Sequence, residues 1–478
     1  MSIVNKFGQP IATPRKKASL GYYQGGQGRD RRHIFAPVAD SETTQTTHNR
    51  EQICGLARWL HANVGLVRGA VADVARYSVG SGITPQSMAE PEIAEQYERF
   101  FKEWASICDV GDRLSFWQMQ QLASMRIDVD GDVGFVLHSS AEGWPMLQMI
   151  EAHRIKNSWD DKQFKDGVKF NAQGRSVAFK IHEGEDKFRR INSKDFILLH
   201  EAERVNQRRG MSSLAHAVNH CRDIDDLVSY EKIGVKMAAA IGIAITSESG
   251  EADSGTSYIE DGFTAADTGG LALDTFQAGM VPRLRDGEKI ESFGSNRPNP
   301  SFTGFIDYLV RDVACGLGIP IEFVWSPQGL VGTTQRFVLN KAQRRFETRQ
   351  NLLIDRLCNR IWAWVIAKGI KRGDIPASDD WRRVKWQTPA KITVDVGREA
   401  QAHRDDIKAG LRTLQEDAGE RGLDWLEVRE QSQREAQDLL ERAQSIADAT
   451  GTTLEFAVSL LSSHSPNPPT NPEEVEGV

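Results

Sequence analysis

The stretch that most constrains this chain is Asn206–Leu214, which reads NQRRGMSSL. Its Arg208-Arg209-Gly210 run predicts a sharp turn. Either Ser212 or Ser213 then supplies a hydroxyl able to cap the orphan N–H groups of a following helix. Residues 116–200, ahead of the junction, are charged and read mainly as strands. Val133, Phe135 and Leu137 alternate with Gly134, Val136 and His138, and Phe196–His200 is a short apolar run bounded by charge. Leu214–Ile241, beyond it, reads as one helix. The strands ahead of the junction, with a helical spacing over Ile53–Trp104, make an α/β body within a chain whose fold class is α+β.

The rest of the sequence extends this division. Residues 1–50 carry Gly, Gln, Thr and a local excess of basic side chains (Lys6, Arg15, Lys16, Lys17, Arg29, Arg31, Arg32), the composition either of an arm that orders only on a partner or of a disordered tail. From Ile53 to Trp104 the spacing of Leu60, Val64, Val67, Val71 and Val74 is helical and breaks at VGSGITP. Val235–Ile243 is rich in Ala and Gly. Ala238, Ala239 and Gly242 let helix backbones approach closely and mark a candidate subunit interface. Ser247–Gly270 is acidic and small, the composition of a loop, and Thr275–Ile290 reads as a small hairpin around RDGE. Ser301–Cys315 is helical again, with Phe302, Phe305, Ile306, Leu309 and Val313 on one face.

The longest helix is expected from Thr334 to Lys368, capped by Thr333 or Thr334 and ended by Gly369. Phe346, Leu353, Leu357, Ile361 and Trp364 form an apolar stripe along it, and Lys341, Arg345, Arg349, Arg356 and Arg360 a basic stripe beside that one. The basic stripe is either a solvated face or a ridge against a neighbouring subunit or DNA, with the subunit interface the preferred functional reading. Gly373–Pro389 is a Trp-rich loop, and the tail from Ser465 is Pro-rich and acidic, as disordered segments are.

Composition removes several classes of function. Hydrophobic content of 40% and charged content of 26% are those of an ordinary globular protein. No apolar run reaches the roughly 18 residues of a membrane span, and MSIVNKFGQP lacks the apolar core of a signal peptide. Five scattered cysteines, never paired as C-x-x-C, fit free thiols in a reducing compartment. A net charge of -7 argues against a large DNA-gripping face; ordinary solubility charge is the preferred reading of it, and a mildly acidic wall past which a phosphate polymer slides is the other.

The most catalytic-looking string is Asp128-Val129-Asp130-Gly131-Asp132. Glycine falls too early for an EF-hand loop, and Ser139 stands where that loop needs a bidentate glutamate. As a strand the string places Asp128, Asp130 and Asp132 on one face, where a two-metal nuclease can be built. As a tight turn it is structural, which is the preferred reading. There is no phosphate-cradling G-x-x-x-x-G-K-[ST] loop, no nucleophile elbow and no H-E-x-x-H pair. His216 and His220 stand four apart, without a third metal ligand in view.

Several segments, taken in order, resemble the portal proteins of tailed bacteriophages, in particular the lambda-type family. They are Ala62–Gln86, Phe101–Gly111 (FKEWASICDVG), GDRLSFWQMQQLASMRIDVDGDVGFVL, MLQMIEAHRI, the Asp166–His182 hairpin, the junction, MVPRLRDGEKIESF and VRDVACGLGIP. A C-terminal pattern, from the Trp-rich loop into VDVGREAQAHRDDIKAGLRTLQEDAGERGLDWLEVREQ, adds to them, so the resemblance runs over residues 50–440. One departure stands out: many members carry N-Y-S-S-x-R after the G-L-G-(I/V)-P turn, where this chain reads VGTTQRF.

The resemblance implies a structural protein rather than an enzyme, with no cofactor and no metal. Its layout would be a flexible basic arm (1–50), a mixed α/β wing (51–225), a first stem helix (226–245), a small α/β clip (246–300) and a second stem helix (301–317). A tunnel loop (318–334), a long wing helix with the Trp-rich loop (335–390), a helical crown (391–464) and a disordered tail (465–478) would follow. Ser326, Gln328, Gly329, Leu330, Val331, Gly332, Thr333 and Thr334 would then line a DNA channel. The implied assembly is a ring of about twelve copies. Its partners would be double-stranded DNA, the terminase large subunit, the major capsid protein and a head–tail adaptor, with no membrane. Its place is the portal vertex of the virion, after assembly in the host cytoplasm. A metal-dependent nuclease, or a capsid or adaptor protein without a channel, are the alternatives.

Overall fold

The computed structural model describes residues 46–158, 161, 163–185, 187–240, 244–247, 288–291, 300–325, 332–392, 396–421, 423 and 425–461. The chain divides into two compact units, Met1–Asn219 with Arg311–Val478, and His220–Val310.

The larger unit opens with helices α1 (Thr47–Asn63) and α2 (Gly65–Val79), separated by the single extended residue Val64. The expected break follows, and β1 (Thr84–Ser87) leads into α3 (Pro91–Ser106). Residues 116–200 are expected mainly as strands, but Phe116–Asp130 is a helix, α4. Ser115 caps it: the hydroxyl accepts from the Gln118 amide and the Gln118 side chain accepts from the Ser115 amide, a reciprocal capping box. As far as Asp128 its buried positions, Phe116, Met119, Gln120, Ala123, Ser124, Ile127 and Asp128, follow the helical period closely, and the buried Val129 and Asp130 then lead into the corner with the next strand. Three of those seven are polar, so hydrophobicity alone does not reveal the stripe.

Gly131 ends α4 at φ 92 and the chain turns directly into β2 (Asp132–Ser139). With β3 (Pro145–Glu151) and β7 (Phe196–His200), β2 forms an antiparallel sheet in the order β3-β2-β7, with Phe135 opposite both Met149 and Ile197. Asp132 through Val136 are all buried, because the central strand is covered on both faces. A second antiparallel sheet, β4-β5-β6, holds the expected hairpin: β4 (Val168–Phe170), β5 (Ser176–Gly184) and β6 (Lys187–Asn192). One apolar core joins Phe101 and Trp104 of α3, Phe116 and Ile127 of α4, Phe135 of β2 and Leu199 of β7 to the long helix.

That helix is longer than expected and interrupted. It begins at Gly332, inside the segment expected to be loop, and runs as α7 (Gly332–Leu353), a π-helical turn (Ile354–Cys358) and α8 (Asn359–Arg372). Its end is Gly373, in the left-handed region at φ 84, not Gly369. Gly369 instead permits a close approach, since a Cβ there would lie 2.7 Å from Phe100 and 2.8 Å from Ile375. Phe346, Leu353, Leu357 and Ile361 are fully buried as the stripe predicted, but beyond the π turn Trp362 takes the core position and Trp364 is only half-buried. The π turn inserts an extra residue per turn and so rotates the stripe.

After the long helix, β10 (Val384–Gln387) pairs antiparallel with β1. The C-terminal helices are α9 (Val396–Lys408), α10 (Leu414–Glu420), α11 (Trp425–Thr450) and α12 (Leu454–Leu461), the last two packed through Ala443, Ala447 and Ala457. Helix α5 (Val218–Ala240) starts four residues later than predicted, because residues 213–217 form turns. In the smaller unit β8 (Ala244–Ser247) pairs with β9 (Glu288–Glu291), so the end of the expected Thr275–Ile290 hairpin pairs instead with Ala244–Ser247, and the remainder of that segment lies outside the described residues. Helix α6 (Pro300–Leu317) is the expected amphipathic helix, with Ile306, Leu309 and Val313 buried and Phe305 exposed.

Candidate functional site: a buried arginine–carboxylate knot

The three aspartates of the Asp128–Asp132 string leave the α4–β2 corner in three directions, and each meets its own arginine. Asp128, 1% exposed, accepts from Arg349 Nη2 at 2.7 Å and Nη1 at 3.2 Å, and from the Ser213 hydroxyl at 2.9 Å. Asp130 is held by Arg58 of α1 through Nε at 2.8 Å and Nη2 at 2.7 Å. Asp132, fully buried, is held by Arg209 through Nε at 2.6 Å and Nη2 at 2.9 Å, and accepts the Gly210 amide at 3.0 Å. Planar guanidinium forks match carboxylates in this two-point geometry, which fixes orientation as well as charge.

The knot extends beyond the string. Arg50 of α1 makes a two-point pair with Asp166 at 2.7 and 2.8 Å, and Arg209 reaches the same turn through the Asp166 carbonyl at 2.7 Å. Glu201, just past β7, accepts from Arg345 at 2.9 and 3.0 Å and from Arg349 Nε at 2.9 Å. Five carboxylates thus face five guanidiniums, and the set is neutral. Burial would raise the Asp166 carboxyl, but Arg209 and Arg50 outweigh it and hold it below the usual range. Burial likewise opposes, and Arg349 and Arg345 override, at Glu201. Burial beside Asp130 pushes the Cys54 thiol up to about 12, so it is no nucleophile.

Two glycines make the knot possible. A Cβ on Gly210 would sit 1.8 Å from the Gly131 carbonyl oxygen, and one on Gly131 would sit 2.6 Å from the Met211 backbone. The turn read from Arg208-Arg209-Gly210 is therefore the place where the junction lies backbone to backbone against the α4–β2 corner. Ser212 and Ser213 serve that contact: the Ser212 hydroxyl and the Ser213 amide both donate to the Asp128 carbonyl, at 2.8 and 2.9 Å. Ser212 Oγ also accepts the Leu214 amide at 3.2 Å, a local turn rather than the cap of α5.

This geometry corrects several expectations. Asp128, Asp130 and Asp132 do not share a face toward an open cleft. Their oxygens are occupied by arginines, and among the described residues no cluster of His, Cys, Asp and Glu is arranged to hold a metal ion. The nuclease alternative loses its site. His216 lies in the turn before α5 with its ring against Gly316, so it does not share a helix face with His220. The basic stripe is not one surface: Arg349 is fully buried and Arg345 turns inward, both bound within the subunit. Arg360 donates to the Ser193 and Lys194 carbonyls, while Lys341 and Arg356 are exposed. The charged partners, far away in sequence, draw the arginines into the body, and the π turn separates the two halves of the stripe.

Other candidate residues stand as follows. Gly332, Thr333 and Thr334 form the first turn of α7, where Gly332 and Thr334 are exposed. Ser326, Gln328, Gly329, Leu330 and Val331 lie outside the described residues, as does Gly242. Ala238 and Ala239 belong to α5, and the surroundings of their side chains also lie outside the description. Sequence reading passed over Arg50, Arg58, Arg209, Asp166 and Glu201 as site residues. The one available signal was the RRG turn, whose middle residue is the best-connected arginine of the knot.

A portal protein of Escherichia phage N15 is 24% identical over 170 residues, which are 33% of this chain and 32% of that protein. The chain thus spans about a third of the length of that curated relative. Among solved structures, the neck of an empty gene transfer agent particle, computed with C6 symmetry, is 15% identical with a TM-score of 0.49, covering 77% of this chain and 93% of that one. An HK97-family phage portal protein from Corynebacterium diphtheriae is 10% identical with a TM-score of 0.32, covering 63% and 92%. The family model for phage portal protein, lambda family, matches residues 28–350, a span that contains every arginine and carboxylate of the knot. That span is more than half of the chain, and the protein belongs to the lambda family of phage portal proteins.

Proposed function

We propose that this portal subunit assembles into a closed ring of about twelve copies at one capsid vertex, by a head-to-tail interface that repeats around the axis. Double-stranded DNA passes through the central channel, inward during packaging and outward at ejection. Motor force comes from a separate terminase, since this chain has no phosphate-binding loop of its own. The terminase large subunit, the major capsid protein and a head–tail adaptor are its other partners, and assembly takes place in the host cytoplasm before the subunit becomes part of the virion.

The observation that carries this reading is the family match over residues 28–350. The geometry supports it physically. A subunit that bears load needs rigid contacts between elements distant in sequence, and a neutral, two-point knot provides them without an open reactive group. Segment 326–331, together with the exposed start of α7, would line the channel. Exposed Lys341 and Arg356, with Ala238, Ala239 and Gly242, would face neighbouring copies.

The test is the mass and outline of the purified full-length chain. The reading expects a species of several hundred kilodaltons, about twelve copies of a 53.3 kDa chain, ring-shaped in negative stain and inert toward plasmid DNA with magnesium or manganese. A chain that stays monomeric under every assembly condition, or that forms particles without an axial opening, contradicts it. The second outcome points to a capsid or adaptor protein.

A further inference from the structure

Arg345 does something in the knot that Arg349 does not. Arg349 already spans both acids, pairing with Asp128 and Glu201 and spending its remaining donor on the Ser124 carbonyl and hydroxyl. What Arg345 adds is a hydrogen bond from Nε to the Leu317 carbonyl, at 3.2 Å, while its two Nη groups hold Glu201. Leu317 is the last residue of α6, and its carbonyl is one that the helix cannot satisfy itself. The α6 end is a Schellman motif: Gly318, at φ +74, donates to the Cys315 carbonyl and Ile319 to the Ala314 carbonyl. Those two bonds leave Leu317 O free for an outside donor.

The next residue of α7 makes a second attachment. Phe346, fully buried, stacks on Tyr77 of α2 at 5.4 Å and meets Phe323 edge-on at 5.8 Å, and Tyr77 and Phe323 meet at 5.5 Å. Phe323 closes the short 3-10 turn Ile321–Phe323 that follows Gly318. Residues 317–323 are therefore fastened at both ends to adjacent residues, Arg345 and Phe346, of the helix that starts at Gly332. Arg345 lies about 20 Å along α7 from its start, at 1.5 Å per residue.

We propose that Arg345 and Phe323 form a two-point clamp that sets where the segment after Trp325 leaves the body, and thus act as positioning residues for the channel-lining loop. The connection between α6 and α7 is nominally fourteen residues, 318–331, and the clamp fixes its first six, 318–323. The role in the channel rests on the portal reading above; the clamp itself does not.

Two variants and two readouts separate these. Arg345→Gln keeps most of the side chain's length but loses the charge, and Arg349 still holds both acids, so the chain should fold and form rings as the wild type does. Hydrogen exchange at the Gly318 and Ile319 amides should quicken by about tenfold, the loss of one charge-assisted hydrogen bond. Phe323→Ala should raise exchange over 319–323 with no change in charge. Arg345→Lys should restore the pair with Glu201 but not the protection at Gly318, because an ammonium cannot span both acceptors. DNA packaged per particle, with each variant supplied as the sole portal, should fall in Arg345→Gln and Phe323→Ala while ring yield is unchanged. Exchange in 317–323 that matches wild type in both variants overturns the clamp. Faster exchange with undiminished packaging overturns its role in positioning the loop. If Arg345→Gln fails to fold, Phe323→Ala decides alone. If the wild type forms no ring, the portal reading falls, while the exchange measurement still decides the clamp.

Discussion

Replacing Arg209 by Met tests the knot at its most connected point. Arg209 is 4% exposed and all five of its N–H groups are used. They hold both oxygens of Asp132 and the carbonyls of Ala152, Ile155 and Asp166, at 2.6 to 2.9 Å. Methionine fills similar space but leaves a fully buried carboxylate with only the Gly210 amide, and three carbonyls without this donor. Breaking a buried pair from one side costs about 3–5 kcal/mol. For the larger unit, Met1–Asn219 with Arg311–Val478, an unfolding entropy of about 2.1 cal/mol/K per residue makes that a melting temperature lower by about 5 °C. The assay is thermal and urea unfolding of the full-length chain, followed by tryptophan fluorescence. The double variant Arg209→Met with Asp132→Leu removes the stranded charge and should recover at least half of the loss. A residue of about 1–3 kcal/mol should persist from the carbonyls. A single-variant loss under about 1 kcal/mol, or a double variant worse than the sum of its parts, refutes the claim that this pair holds the junction to the α4–β2 corner.

Two further outcomes follow from the same geometry. Gly210→Ala places a methyl 1.8 Å from the Gly131 carbonyl oxygen, so it should abolish soluble expression or lower stability as far as Arg209→Met does, whereas Gly174→Ala, with open space around it, should affect it far less, the remaining cost coming from its φ of +79. Stability should also fall with acid, in two stages. Burial depresses His200 below its usual 6.5, so its contribution is present above that value and drains away as pH falls through its folded-state pKa. Asp166 and Glu201 are held below their usual 3.8 and 4.5, so theirs is lost only at lower pH, as those carboxylates protonate. Melting temperature against pH, compared with His200→Gln, should show the first stage reduced in the variant, the remainder coming from His61 and His153, which burial also depresses.

Much of the fold can be read from the residues alone, for reasons that differ by element. The β4–β5 hairpin and Phe196–His200 show because each carries its own turn and its own apolar pattern. Helix α4 escapes notice because its buried face includes Gln120, Ser124 and Asp128, whose partners are remote: Gln120 bonds the Ile83 backbone, and Ser124 and Asp128 meet Arg349. A polar residue that is buried by a distant partner reads locally as exposed. Arg345 and Arg349 mislead in the same way, since a charge stripe reveals spacing but not what faces it, and their partner Asp128 lies more than two hundred residues upstream. Gly369 and Gly373 are both glycines near the end of a helix. Only the left-handed backbone at Gly373 and the Phe100 ring against Gly369 tell a stop from a close approach.

The most direct test of the account is single-particle cryo-electron microscopy of the assembled full-length protein. It predicts a closed ring with an axial opening wide enough for duplex DNA, the arginine–carboxylate knot enclosed within each subunit, and segment 326–331 at the wall of the opening. Particles without such an opening, or a ring in which Arg349 reaches across to a neighbouring copy, would contradict it.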